Sequence, residues 1–149
     1  MLRISKKMMF ALEAIIDIAI YSGPSPVQAR DVTARQGIPK RYLEQVMQRL
    51  VHAKILRGVR GPRGGYRLAR ERRRITVGEI ARVIYVLETD DGLNHPSSSD
   101  IGRKVIAPMW QNLQDETMAR LDAITLEELC RRARDCVDTT KPDRMDFSI

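Results

Sequence analysis

The residues with the most chemistry to offer are Arg57, Arg60, Arg63 and Arg67, set among Gly58, Gly61, Pro62, Gly64 and Gly65. Guanidinium groups on a stretch with almost no side-chain bulk suit close approach to an anion, and phosphate oxygens match the guanidinium fork. Ile55-Leu56 on one side and Tyr66-Arg67-Leu68 on the other read as short strands, so the segment is expected to be a basic hairpin. It is not a nucleotide-phosphate loop: the chain has no GxxxxGK[ST], and the segment runs into a strand rather than a helix. A solvated basic turn is the other reading until the preceding residues are considered.

Those residues offer a second polar set. Leu43, Val46, Met47 and Leu50 recur at the spacing of one buried helix stripe, and the opposite face shows Lys40, Arg41, Glu44, Gln45 and Gln48. Arginine pairs with guanine, glutamine with adenine, and a carboxylate accepts from cytosine N4, so this face is suited to reading base edges. The helix is predicted over residues 39–52. It follows a helix-compatible run over 29–36, the stop Gly37, and Ile38-Pro39, where proline suits a helix start. Helix, tight turn, polar helix and basic hairpin in succession are the order of a winged helix-turn-helix. The expected fold is mainly α with a small β-hairpin wing, followed by a long dimerisation helix.

Charge divides the chain in two. Residues 1–76 hold 17 Lys and Arg against 5 Asp and Glu, whereas residues 77–149 hold 9 against 14. The basic part is expected to attract the phosphate backbone of a duplex and the acidic part to stay off it. Aromatic residues make up only 5% of the 149, too few for base stacking along a single strand. No apolar run is long enough to span a membrane, no aromatic-rich amphipathic helix accompanies the basic charge, and Met1-Leu2-Arg3-Ile4 leads directly into a helical pattern. A cytoplasmic protein without a membrane partner is expected, its two cysteines reduced. Two histidines and two cysteines on separate elements, with no nucleophile motif such as GxSxG, do not make an enzyme site.

Around these sets the supporting elements can be placed. A first helix is expected from an N-cap at Ser5 to Tyr21, with Met8, Leu12, Ile15, Ile16 and Ala19 on one face. After the basic run 70–74, in which Arg72 is expected near phosphate, Thr76 and Glu79 form a capping box, with Ile75 and Ile80 as its staple, opening a helix to about residue 87. The winged domain is thus read as 1–88. Residues 89–103 lose periodicity and are expected to be a loop and an effector region. Beyond it, Ile106, Met109, Trp110, Leu113, Thr117, Leu121 and Ile124 form one stripe on a helix over 104–124, with Pro108 in its first turn. Such a stripe, placed after a complete small domain, is expected to bury against a second copy. Thr125 with Glu128 repeats the capping box, so a short helix over 126–134 completes the unit 104–136, and 137–149 is expected to be a tail.

The run Val59-Arg60-Gly61-Pro62-Arg63-Gly64-Gly65-Tyr66-Arg67-Leu68-Ala69 resembles the wing of the Rrf-two family of bacterial transcription regulators, which includes the IscR, NsrR and CymR types. Tyr42-Leu43-Glu44-Gln45 on the recognition helix, Thr76-Val77-Gly78-Glu79-Ile80, Trp110 and Ile124-Thr125-Leu126-Glu127-Glu128-Leu129 extend the likeness over about residues 2–132. The resemblance implies a homodimer, crossed through its long helices, on imperfect palindromes near promoters. It implies Glu44 on bases in the major groove and Arg60 in the minor groove; Tyr42, Gly61, Arg63 and Gly64 complete the expected set of DNA-contact residues.

Two features depart from the family pattern. Iron–sulfur members carry three closely spaced cysteines before the long helix, and here residues 89–103 contain none. Cys130 and Cys136, six residues apart, point about 120° away from each other on a helix and do not converge on a metal. No cofactor is therefore expected. An atypical iron–sulfur or redox sensor, using His95 with Asp90, Asp91 and Asp100, is the alternative within the class. Lys54 stands where the family has glycine, which suggests a different exit from the recognition helix. Two function classes follow: a homodimeric DNA-binding regulator, most simply a repressor, answering to a small-molecule or protein effector, or a basic interaction protein docking an acidic protein or structured RNA.

Overall fold

The computed structural model describes residues 3–89 and 98–139. Helix α1 (Lys6–Tyr21) begins where Ser5 Oγ accepts a hydrogen bond from the Met8 amide at 3.1 Å, as an N-cap should. It is the central strut, packed against most other elements of the winged domain. Ala11, Ala14, Ile15 and Ile18 are its deepest residues, while Met8, Leu12 and Ile16 of the expected face are only half-buried. The buried stripe is centred on Ala11, Ala14, Ile15 and Ile18, and Met8, Leu12 and Ile16 pack along its edges.

Helix α2 (Ala29–Gln36) ends at Gly37, whose φ of 67° is left-handed. Its last turn is fastened to α1 through Asp17, which is only 1% exposed. The carboxylate accepts from Arg35 Nε and Nη2, both at 2.8 Å, and from Gln36 Nε2 at 2.9 Å. Arg35 also lies 4.1 Å from the Tyr21 ring centroid. In the sequence Asp17 is only a charge on an apolar helix; in the fold it sets the angle of the helix-turn-helix.

Helix α3 (Lys40–His52) starts behind Pro39, which holds the N-cap position at φ −59°. Leu43, Val46, Met47 and Leu50 enter the core as their spacing requires. At the exit, Lys54 takes φ 60°. Its amide donates to the Val51 carbonyl at 3.0 Å and the Ile55 amide to the Leu50 carbonyl at 3.0 Å, the paired bonds of a left-handed helix stop. Lys54 thus adopts the backbone conformation that suits glycine, with the crowding that a Cβ meets there.

The wing consists of β1 (Leu56–Val59) and β2 (Gly65–Leu68), antiparallel, with Leu56 opposite Leu68 and Val59 opposite Gly65. Val27 adds a single rung on the far side of β2: its amide donates to the Tyr66 carbonyl at 3.0 Å and its carbonyl accepts from the Tyr66 amide at 2.7 Å. A Cβ at Gly65 would collide with the Val27 carbonyl, so this rung requires glycine there.

Helices α4 (Val77–Thr89) and α6 (Leu126–Thr139) open in the same way. Thr76 Oγ1 accepts from the Glu79 amide at 3.2 Å and Thr125 Oγ1 from the Glu128 amide at 3.3 Å. The two glutamates do not complete the boxes but pair elsewhere, Glu79 with Arg70 and Glu128 with Arg132. The two helix starts also pair with each other, the Val77 amide with the Ile124 carbonyl at 2.9 Å and the Leu126 amide with the Ile75 carbonyl at 2.8 Å. This brings Leu126 and Cys130 into the same core as α1, so the core of the winged domain extends past the expected division at residue 88 and includes α6. Helix α6 continues to Thr139, past the expected end at 134. Residues 140–149 lie outside the described residues.

Helix α5 (Ala107–Asp122) has Pro108 in its first turn, as expected, and is preceded by a π-helical turn, Gly102–Ile106. Proline crowds the carbonyl four residues back and donates no hydrogen bond, and the wider π turn relieves both conflicts. Helical structure begins at Asp100, with Ser99 Oγ accepting from the Gly102 amide at 2.9 Å, so the expected loop ends earlier than residue 103. The far end of α5 is clamped to α4: Arg82 donates to both Asp122 oxygens at 2.7 Å, and a Cβ at Gly78 would run into the Asp122 carboxylate.

Candidate nucleic-acid interface

With its apolar stripe in the core, α3 turns Lys40, Arg41, Glu44, Gln45 and Gln48 to solvent together. Lys40 Nζ is 3.9 Å from Glu44 Oε1, an exposed pair loose enough for either partner to exchange onto a ligand. Tyr42 is half-buried against Phe10, their ring centroids 5.5 Å apart, and the Arg41 guanidinium lies 5.1 Å from the Tyr42 ring. Tyr42 therefore props the start of α3 and Arg41 while its ring is occupied by the protein itself. His52 is exposed at the far end of the helix.

At the wing tip Arg60, Gly61, Pro62 and Arg63 are exposed. Gly61 has φ 113° and its carbonyl accepts from the Gly64 amide at 2.9 Å; a Cβ at Gly64 would strike the Val59 carbonyl. The tip is thin because its backbone folds on itself where no side chain fits. Neither Arg60 nor Arg63 has an ion pair or hydrogen-bond partner among the described residues. Arg67, by contrast, donates to the Gly23 carbonyl at 2.8 Å and the Pro24 carbonyl at 2.6 Å, fixing the wing root to the loop after α1.

Arg72 requires a correction. Expected near phosphate, its guanidinium instead turns inward and donates to the Ala19 carbonyl at 2.7 Å, near the last turn of α1, where free carbonyls favour a cation. The neighbouring Arg70 is held by both Glu79 oxygens, at 2.6 and 3.3 Å. Lys40 and Arg41 of α3 and Arg60 and Arg63 of the wing tip, by contrast, stand exposed.

The stripe expected at a dimer interface is open along its first half. Ile106, Met109, Trp110 and Leu113 are exposed, together with Ile101 and Val105 of the preceding turn. Thr117 is exposed and donates from its hydroxyl to the Leu113 carbonyl at 2.9 Å. Leu121 and Ile124 are half-buried near the clamp to α4.

Metal chemistry finds little to work with. Among the described residues no three of His, Cys, Asp and Glu come together as a metal site. Cys130 is buried in the core, where loss of solvent pushes its thiol pKa up, and Cys136 is exposed on α6. Asp100 pairs with Arg103 and, at 4.0 Å, with Lys104. His95, Asp90 and Asp91 lie outside the described residues. No helix among the described residues is long and apolar enough to cross a membrane.

A helix-turn-helix with a basic recognition helix, packed on α1 and followed by a hairpin wing, defines a winged helix-turn-helix DNA-binding protein. The sequence model of the Rrf2 family, described as "Iron-dependent Transcriptional regulator", matches residues 4–132, and the chain belongs to that family, the one its wing motif resembles. The HTH-type transcriptional regulator IscR of Photobacterium profundum is 35% identical over 133 residues, 87% of this chain and 76% of the relative. IscR of Xenorhabdus nematophila is 34% identical over 133 residues, 87% and 80% of the two chains. Among solved structures, T. potens IscR superposes with a TM-score of 0.71 at 33% identity, covering 91% of this chain and 90% of that one. CymR, the global cysteine regulator of B. subtilis, gives 0.68 at 28% identity, covering 89% and 98%. The chain is a transcriptional regulator and not an enzyme. The family description names iron, yet residues 89–103 contain no cysteine, Cys130 is shut in the core and Cys136 lies on the surface. The described part of this chain does not fit a cysteine-held iron centre.

Proposed function

We propose that the protein is a homodimeric, sequence-specific repressor that binds an imperfect palindrome, with α3 in the major groove and the wing tip in the adjacent minor groove. The observation that carries this reading is the joint exposure of the α3 polar face and of Arg60 and Arg63, which have no partners among the described residues, on a tip thin enough for a narrow groove. Lys40, Arg41, Gln45 and Gln48 supply backbone and base-edge donors, and Gly61 and Gly64 keep the tip slender. Glu44 is a carboxylate in a cationic face, and its use is to accept from cytosine N4 and reject other bases. The open stripe of α5 provides for the second copy, and two linked heads match two half-sites. A dimer seated on a promoter blocks polymerase, which makes repression the simplest outcome. The effector enters through residues 89–103 or through a partner.

The test is selection of binding sites from random duplex followed by titration of two variants. Glu44→Ala is expected to relax the choice at one base pair by about 1–3 kcal/mol while general affinity stays nearly level. Arg60→Ala is expected to weaken operator binding and flatten the preference for A·T flanks, because a narrow A·T groove concentrates negative potential. An unchanged consensus for Glu44→Ala, or equal losses on A·T and G·C flanks for Arg60→Ala, would refute these roles.

A further inference from the structure

A second concentration of positive charge lies away from the tip. Two adjoining depressions, of about 350 and 440 Å³, share Leu68, Arg70 and Glu71 at the root of the wing. Arg72 and Arg73 line the first; Arg57 of β1 and Arg74 line the second. Five arginines thus line the two depressions, together with Glu71 and Glu127.

The five divide by role. Arg70 is pinned by Glu79, and Arg72 is spent on the Ala19 carbonyl, so both are fixed in place. Arg73 meets only Glu71, at 3.8 Å and with both side chains largely exposed, a pair that holds neither firmly. Arg57 and Arg74 are exposed and have no side-chain ion pair or hydrogen bond among the described residues. Consecutive residues of the 3-10 turn Arg72–Arg74 leave the backbone about 120° apart, Arg73 lines the first depression and Arg74 the second, and Arg57 comes to the second from a different element.

The place of the cleft separates it from the base-reading face. Phe10 of α1 packs on Tyr42 at the start of α3, whereas Arg72 is anchored at Ala19. Nine residues of helix, about 13 Å, lie between these two points. The cleft sits at the end of α1 remote from the start of the recognition helix.

From this we infer that the wing-root cleft binds a small ligand bearing two or more linked phosphate groups, held by Arg57, Arg73 and Arg74 over the Leu68 side chain. Linked phosphates answer the arrangement because the free guanidiniums are divided among separate directions, and each fork matches a pair of phosphate oxygens. The ligand is either an inorganic polyphosphate or a nucleotide, and Leu68 is the apolar surface that an attached base would use.

Calorimetric titration of the full chain at physiological ionic strength, with sodium tripolyphosphate and separately with ATP, tests this. Saturable binding with one ligand per chain is expected. Loss of a charged hydrogen-bonding partner weakens binding about tenfold or more, so Arg57→Ala with Arg74→Ala should lower affinity on the order of a hundredfold. Arg60→Ala with Arg63→Ala should leave it unchanged. Equal affinities for the two probes identify the polyphosphate chain as the whole ligand; tighter ATP identifies a nucleotide. The inference is overturned if no saturable heat appears or if the wing-tip pair matters as much as the cleft pair. It is also overturned if duplex DNA competes with tripolyphosphate and the cleft pair weakens duplex binding equally, which would make the cleft part of the DNA face. Because the ligand titration uses no DNA, its failure is distinguishable from failure of the operator reading.

Discussion

Helices α3 and α5 carry the same kind of apolar stripe and differ in what covers it. On α3, Leu43, Val46, Met47 and Leu50 are at most 1% exposed; on α5, Met109, Trp110 and Leu113 remain 48%, 46% and 49% exposed. The periodicity that marks both states which face requires burial and is silent on which surface supplies it. Helix α3 has α1, α2, α4 and β1 around it. Helix α5 is tied to α4 near its far end, through Asp122 and Arg82, and its first half is left open. Exposed apolar surface of this kind is where the second copy is proposed to pack.

The largest effect should come from attacking the open stripe. Met109→Asp together with Leu113→Asp places two carboxylates where a second copy is proposed, at positions that contribute little to the fold of one chain. Helix content should be unchanged, light scattering should report monomers, and operator affinity should fall about 10²–10⁴-fold as the two heads lose their linkage. Retention of dimers would place the interface on another face.

Truncation sharpens the same contrast. Leu43→Ala removes a closed stripe residue and should cost about 2–5 kcal/mol of unfolding free energy. Leu113→Ala should leave the unfolding of dilute protein nearly unaltered and lower the midpoint only at concentrations where copies associate. Urea curves at two protein concentrations check both. If the two variants lose equal stability at every concentration, α5 packs within its own chain.

The same contrast explains what was legible in the sequence. The α3 stripe, its polar face, the glycine-rich wing and both threonine caps are local patterns, and each appears where its spacing placed it. What escaped depends on partners far along the chain. Asp17 meets Arg35 eighteen residues on and Gln36 nineteen on, Arg72 meets Ala19 across fifty-three, and Val27 joins β2 by one rung, too short to leave a period. Cys130 is buried, and the pairing of the α4 and α6 starts that carries it into the α1 core has no signature beyond two similar caps. Tyr42 belonged to a motif, which made it a candidate contact; only Phe10 reveals it as a strut.

The smallest expected effect lies at the exit of the closed helix. Lys54 holds φ 60°, a conformation that costs an L residue roughly 1–2 kcal/mol because Cβ crowds the following carbonyl. Glycine escapes that crowding but loses more chain entropy on folding, about 0.5–1 kcal/mol, so the two terms partly offset. Lys54→Gly should therefore raise stability by about 0.5–1 kcal/mol, and Lys54→Asn by less, since asparagine tolerates this region only in part. Lys54 is exposed, which leaves a second cause to exclude: removal of one positive charge from a strongly basic half would also relieve repulsion. Lys54→Ala separates the two, because it removes the charge and keeps the Cβ. Thermal unfolding of the three variants should rank glycine above asparagine and leave alanine beside the parent. A rise for alanine equal to that for glycine would show that charge, and not the left-handed backbone, is what the recognition helix strains against at its exit.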